Sequence, residues 1–263
     1  MRIVVLVKQV PGTDNVKMNP ETGVMIRTGK DTVVNPLDEH ALEEAVAIKS
    51  RFKGVRVTAI SMGPPAAEKA LRDALAMGVD DVVLLSHRAF GGADTIVTAR
   101  TLAAAITKLG PADLILCGER ATDGETGQVG PMVAMMLGLP VQTYVRKIEL
   151  EENAVSIERI VEEGFERVRV EGPLVITVVK DLNQPRLPTL RSKLLARKAE
   201  VPVWGPAEIS LQPEDLGLKA SPTRVTKVFS PSLSRDTELH YYVPGVTVRR
   251  LTDFLTQRDF ISL

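Results

Sequence analysis

Cysteine, histidine, aromatic side chains and an excess of either charge are what this 263-residue chain has least of. One cysteine closes no internal disulfide, and Met1-Arg2-Ile3-Val4-Val5 enters a strand-like run where a signal peptide would show charged, apolar and small-residue regions in turn. The expected compartment is therefore a reducing one, the cytoplasm. Lysine plus arginine total 33 against 33 aspartate plus glutamate, so no field of one sign draws the chain to nucleic acid or to an anionic lipid surface. No uninterrupted apolar stretch approaches the length of a membrane span. His40, His87, Cys117 and His240 are too scattered for a metal-ligand spacing, and no metal site is expected. What the chain does have is 44% apolar residues in 28.6 kDa, enough to bury roughly three quarters of its unfolded surface.

The first half alternates short β-branched runs with segments of helical period, which predicts an α/β fold with a parallel sheet and flanking helices. Strands are expected at 3–7, 55–61, 81–85 and 113–117. Helices are expected from Asn35 or Asp38 to Arg51, from Ala66 to Met77, from Ala93 or Asp94 to Leu109 and from about Glu125 to Leu137. In the first helix Ala41, Leu42, Ala45, Val46 and Ile48 form an apolar stripe beside a face of Glu43, Glu44 and Lys49. From Val141 the texture turns to strands at 143–150, 155–160, 166–170 and 174–179 separated by turn residues, so the sheet gains hairpins late. Residues 180–198 carry six basic residues against one acidic and read as an exposed loop followed by a short helical piece. Residues 205–247 hold Pro206, Pro213, Pro222, Pro231 and Pro244, yet also Leu211, Leu216, Val225, Val228, Phe229, Tyr241 and Tyr242, too many apolar groups for a solvated linker. The expected division is an α/β domain over 1–204 and an extended arm over 205–263 lying on a partner and closing with a short amphipathic helix near Gln257.

In an open parallel sheet, ligands gather beyond the carboxyl ends of the strands, so the loops there are the places to search. Lys8 follows the first strand, Asn35-Pro36-Leu37-Asp38 precedes the first helix, Met62-Gly63 follows the second strand, and Gly118 to Pro131 follows the fourth. In the last, Gly124 and Gly127 let backbone amides approach an anion, and Thr126 and Gln128 add donors at an expected helix N-terminus, a phosphate cradle by composition. No Gly-Lys-Ser or Gly-Lys-Thr follows and no Gly-x-Gly-x-x-Gly follows the first strand, which disfavours both standard nucleotide loops. On composition alone, a capped helix whose glycines serve only the turn accounts for the same residues equally well.

Several motifs taken together decide between these. Lys8-Gln9-Val10-Pro11, Asn35-Pro36 before Ala41-Leu42-Glu43-Glu44-Ala45, Ser61-Met62-Gly63-Pro64, Ala74-Leu75-Ala76-Met77-Gly78, Gly118 to Pro131 and Asn183 to Leu190 resemble, in order and spacing, the electron-transfer flavoprotein beta subunit over roughly residues 1–200. The resemblance implies an adenine-nucleotide alpha-hydrolase-like, Rossmann-like domain that pairs with an FAD-holding alpha subunit. It places a nucleotide on Leu6, Lys8, Asn35, Asp38, Met62, Gly118, Arg120, Asp123, Gly124, Thr126, Gly127 and Gln128, and it implies no catalytic side chain. The compact loop from Asp123 to Pro131 is similar to the electron-bifurcating branch, in which FAD occupies this site, although Glu125 and Gly127 stand where that branch more often has Asp and Ala. The longer loop of simpler members holds AMP.

For the bifurcating branch the resemblance implies a hydride from NADH, one electron passed to the alpha-subunit FAD and on to an acyl-CoA dehydrogenase or quinone reductase, and the other to ferredoxin or flavodoxin. It also implies that 183–200 is a recognition loop, with Leu190 as an apolar anchor and Arg191 and Lys193 around it. Arg120 is expected nearest the flavin or its phosphates, the alternative being a surface pair with Glu119 or Asp123. Cys117 is expected in the core, and His40 in solvent beside Glu39 and Glu43. A stand-alone nucleotide hydrolase or sensor of the same fold is the weakest alternative, because the apolar arm asks for a partner.

Overall fold

Ile3, Val4, Val5 and Leu6 are all buried, the two faces of the strand alike, as a strand in the middle of a helix-covered sheet requires. A computed structural model describes residues 1–12, 32–226, 239, 241, 243 and 245–262. Val228, Phe229, Tyr242, Pro231 and Pro244 of the expected arm lie outside the described residues. Two units are distinguished, Met1–Lys227 and Val228–Leu263.

The first unit opens with β1 (Arg2–Leu6) and a small ladder of β2 (Gln9–Pro11) and β3 (Thr32–Val34). There follow α1 (Pro36–Arg51), β4 (Arg56–Met62), α2 (Glu68–Met77), β5 (Asp81–Leu85), α3 (Thr95–Leu109), β6 (Leu114–Gly118) and α4 (Val129–Leu137). Then come β7 (Val141–Leu150), β8 (Ala154–Val161), β9 (Gly164–Glu171), β10 (Leu174–Val178), α5 (Leu190–Lys198), β11 (Val203–Trp204) and α6 (Gly217–Ala220). The strands stand in the order β11-β5-β4-β1-β6-β10-β7-β8-β9. Every neighbouring pair from β11 to β7 is parallel, and β8 and β9 continue as an antiparallel meander. The late hairpins are thus present, but β10 is not one of them. Its run Leu174-Val175-Ile176-Thr177-Val178 is buried throughout and inserts parallel between β6 and β7.

Side-chain alternation divides the core into two layers. Ile3 and Val5 face α1 and α2, while Val4 and Leu6 face α3 and α4. Local chemistry sets the helix ends. Asp94 accepts from the Val97 amide to cap α3, and Gly138, in the left-handed region at φ +67°, ends α4.

Two expectations are corrected here. Helix α4 starts at Val129, not Glu125, because Glu125 (φ +51°) and Gly127 (φ +63°) are left-handed and cannot continue a right-handed helix. The whole segment from Glu119 to Gln128 is therefore loop. Residues 205–226 fold on the α/β unit: Ile209 and Leu216 are buried in the α3–α4 layer and Leu211 packs against it. The compact unit ends at Lys227, and the expected break at 204/205 is not seen. In the second unit, α7 (Val246–Gln257) leaves Val246, Val248, Leu251 and Phe254 exposed.

Candidate functional site

From β1 the chain steps to β4 and β5 on one side, while β6 joins on the other. The crevice beyond the carboxyl ends of β1 and β6 is therefore the sheet's switch point. Asp38, in the first turn of α1, clips this crevice shut at its base. Its Oδ2 accepts the Lys8 amide at 2.8 Å and its Oδ1 the Gly118 amide at 2.9 Å, so one buried carboxylate ties the ends of both strands. Burial pushes that carboxyl up to about 6, against the hydrogen bonds from Lys8, Asn35 and Gly118 that favour its ionised form.

Asn35, also buried, does the same for the loop. Its Nδ2 donates to the Arg120 carbonyl at 2.9 Å and its Oδ1 accepts the Thr122 amide at 3.2 Å. The Lys8 ammonium reaches Asp123 at 2.6 Å, closing a bridge from β1 to the loop. Both carboxylate oxygens of Asp38 and both ends of the Asn35 amide are thus spent within the protein. These contacts hold the two strand ends and the loop in register at the crevice.

Three glycines here differ in what a side chain would meet. A Cβ on Gly118 would lie 2.6 Å from the Leu37 Cβ and 2.7 Å from Asp38 Oδ1, so β6 and α1 meet only over glycine. Gly130 has the same duty between α4 and the sheet, where a Cβ would lie 2.6 Å from Thr177 Cγ2 and 2.9 Å from Cys117 Sγ. A Cβ on Gly124 would meet nothing within 4 Å, so the protein's own packing does not require glycine there.

The amides of Thr126, Gly127 and Gln128 donate to no acceptor among the described residues, and those of Val129 and Gly130 are first-turn amides that α4 itself leaves without carbonyls. Five consecutive N–H groups at the switch point form a donor set that fits a phosphate or diphosphate. Thr126 and Gln128 sit in this loop with exposed side chains, although Gln128 Oε1 accepts from Thr95 at 3.3 Å.

Leu6 ends β1 buried in the α3–α4 layer, and Met62 ends β4 next to it. Beside Met62, Ser61 is fully buried with a hydroxyl that has no partner among the described residues. Arg120 pairs with Glu119 at 2.6 Å, the alternative weighed from composition, and reaches Glu125 only at 3.9 Å. Cys117 is buried and unpaired, and burial, with Asp38 close by, raises its thiol above the ordinary range. Among the described residues no His, Cys, Asp or Glu cluster could hold a metal ion, and no helix is long and apolar enough to cross a membrane.

Leu190, Arg191 and Lys193 lie apart from this crevice on α5, with Leu190 75% exposed. His40 is not solvated as expected. Its Nδ1 lies 3.1 Å from both the carbonyl oxygen and Oδ1 of Asn183. Glu43 and Glu44, expected on an open face, are likewise buried.

A family model described as the electron transfer flavoprotein domain matches residues 22–209. The chain is 44% identical over 258 residues to the caffeyl-CoA reductase-Etf complex subunit CarD of Acetobacterium woodii, covering 98% of this chain and 97% of that protein. It is 43% identical over 262 residues to the electron transfer flavoprotein subunit beta of Thermoanaerobacterium thermosaccharolyticum, covering 99% and 100%. It is 41% identical over 239 residues to the acryloyl-CoA reductase electron transfer subunit gamma of Anaerotignum propionicum, covering 88% and 89%. With a switch-point crevice rimmed by unpartnered amides, and with relatives aligned nearly end to end, this chain belongs to the electron transfer flavoprotein family.

Proposed function

We propose that this chain is the beta subunit of a heterodimeric electron transfer flavoprotein. In this reading it holds FAD between the ends of β1 and β6 and works with an FAD-bearing alpha subunit in NADH-dependent electron bifurcation. The high-potential branch leads to an acyl-CoA oxidoreductase or quinone reductase and the low-potential branch to ferredoxin or flavodoxin. The observation that carries the reading is the run of five amides from Thr126 to Gly130 at the switch point, for which no acceptor is found among the described residues. Relatives named for caffeyl-CoA and acryloyl-CoA reductase systems support the choice of acyl-CoA partners.

When bound, FAD supplies the redox chemistry, accepting a hydride and releasing single electrons. The residues of this chain supply position and electrostatics. The amides of 126–130 would hold the diphosphate, Asp38 and Asn35 keep strand ends and loop in register, and the Arg120 guanidinium, drawn toward Glu119, stands on the crevice rim as a fixed cation. The exposed Leu190 on α5, flanked by Arg191 and Lys193, serves as the docking anchor for the acyl-CoA oxidoreductase.

The reading is tested by purifying the chain with its alpha subunit and quantifying nucleotide. Two FAD per heterodimer are expected, while one FAD with AMP would make the chain part of a simple electron shuttle. Gly124→Val places the site more sharply. It should lower beta-site nucleotide retention by roughly tenfold or more, a loss of about 1.4 kcal/mol of binding. Melting temperature should stay the same, because its new Cβ meets no protein atom. Retention equal to wild type would remove the cradle from residues 118–130. Asp123→Ala is a less clean test, since Asp123 is nearly buried against Lys8 and its loss also loosens the loop.

A further inference from the structure

The segment leading into α5 is held by α1 through an acidic, largely buried turn. Arg186 grips Glu43 three ways. Its Nε donates to Oε2 at 2.8 Å, its Nη2 to Oε1 at 2.8 Å and its backbone amide to Oε2 at 2.9 Å. Three residues earlier, Asn183 Nδ2 donates to the His40 carbonyl at 3.0 Å and to Glu44 Oε2 at 3.2 Å. The Asn183 oxygens then face His40 Nδ1, which fixes the proton on that nitrogen. Burial of Glu43 favours its neutral form, yet the hydrogen bonds from Arg186 hold its carboxyl below the ordinary range.

At the other end of the segment, Thr189 caps α5 through the Ser192 amide, and Arg72 of α2 donates to the carbonyls of Ala196 and Ala199. Between these anchors stand apolar side chains that no described residue covers. Leu187 is 93% exposed and Leu190 75%, with Leu194 and Leu195 also exposed. Arg191, Lys193, Arg197 and Lys198 surround them without an acidic residue in α5. An apolar projection in a basic ring fits an acidic-rimmed apolar pocket on another protein.

We propose that Glu43 is the positioning residue of this docking surface: the Glu43–Arg186 clamp, seconded by His40 and Glu44 on Asn183, pre-forms residues 183–189 so that Leu187 and Leu190 project before the acyl-CoA oxidoreductase arrives. The proposal rests on the docking reading given above. A loop that must be ordered at encounter lowers apparent affinity by the fraction of time it spends ordered, and a clamp that orders it beforehand removes that loss. The same helix carries Asp38 at the crevice, five residues or about 7.5 Å of rise before Glu43, so docking surface and nucleotide site share one rigid element.

The sign of one substitution separates this role from simple charge attraction. Glu43→Gln keeps the side-chain shape and removes a negative charge beside a basic surface, so steering alone would speed association with an acidic partner. Lost pre-organisation would slow it. The experiment measures amide hydrogen exchange on the heterodimer, and association, dissociation and steady-state turnover with a caffeyl-CoA- or acryloyl-CoA-type reductase.

Glu43→Gln and Arg186→Met are each expected to accelerate exchange at Arg186 and its neighbours. Both should slow association by roughly ten- to a hundredfold, the share of bound-like loop lost, and raise KM for the reductase at unchanged kcat and unchanged nucleotide retention. Leu190→Ala should weaken binding with no change in exchange at 183–186. Unaltered exchange in Glu43→Gln overturns the clamp. Faster exchange with association unchanged or faster, while Leu190→Ala still weakens binding, overturns the positioning role alone. Undiminished binding in all three variants overturns the docking reading and the proposal with it.

Discussion

Gly118→Ala is expected to unfold the chain at a markedly lower temperature and to empty the crevice together. Its Cβ would sit 2.6 Å from the Leu37 Cβ, 2.7 Å from Asp38 Oδ1 and 2.8 Å from the Leu37 carbonyl carbon. Two of these are backbone-proximal atoms of a helix packed on the sheet, so no flexible side chain can swing away. The first turn of α1 must lift from β6, which breaks the Asp38 clip and also drags Asn35 from the Arg120 carbonyl and the Thr122 amide. Overpacking of this kind costs about 3 kcal/mol, which for a chain of this size lowers Tm by roughly 6–12 °C. The comparison with Gly124→Val is what makes the measurement informative. Both variants should lose nucleotide, but only Gly118→Ala should lose stability. A Gly118→Ala melting curve coincident with wild type would show that α1 and β6 do not meet as closely as described.

The second large effect is a pH dependence with opposite signs in stability and in binding. Asp38 is buried and its carboxyl titrates near 6, against an ordinary value near 3.8. Between those values the folded chain still binds a proton that the unfolded chain has released, so this group makes the fold less stable as pH rises from about 4 to about 6. The displacement amounts to roughly 3 kcal/mol in all, fully expressed above pH 6. Nucleotide binding should run the other way. Only the ionised carboxylate accepts both the Lys8 and the Gly118 amide with undiminished strength, so a ligand that needs the clipped crevice loses up to tenfold in affinity for each pH unit below about 6.

Lys8, Asp123 and Cys117 are the ionisable neighbours. Lys8 and Asp123 lie 2.6 Å apart, and burial raises the Cys117 thiol, while the Asp38 carboxyl is pushed up to about 6. The check is nucleotide retention and denaturant midpoint from pH 4 to 8 in wild type and Asp38→Asn. The substitution should flatten both profiles, and subtracting its profile removes any titration of the ligand's own phosphate. A binding profile of the same slope in the two proteins would take Asp38 out of the crevice.

The sheet and its helices were legible because each rests on local periodicity and punctuation. The span 81–85 coincides with β5 residue for residue, and Asp94, Gly110 and Gly138 mark helix ends by capping chemistry that neighbours in sequence supply. The start of α4 was missed because periodicity cannot register a left-handed residue. Glu125 carries no sign of its φ of +51°, and apolar spacing alone runs the helix back through it. The position of β10 was hidden for a different reason. A buried pentapeptide with four β-branched residues reads as a strand, but whether it closes a hairpin or inserts parallel between β6 and β7 is settled by the sheet as a whole.

By itself the sequence determined the alternation of elements, the loops in which a nucleotide site had to be sought and the motifs that tie the chain to its family, because these depend on residue types at short range. Only the tertiary structure decided which contacts each of those residues makes. Asp38 and Asn35 hydrogen-bond to the strand ends and the loop, Gly118 and Gly130 permit contact between layers, and a Cβ on Gly124 would meet no protein atom. Glu43, an apparent surface carboxylate one turn beyond the crevice, became the buried partner of an arginine 143 residues away. Hydrogen bonds and steric exclusion across such separations are fixed by which elements the fold stacks together, and no pattern within a window of one helix or one loop contains that information.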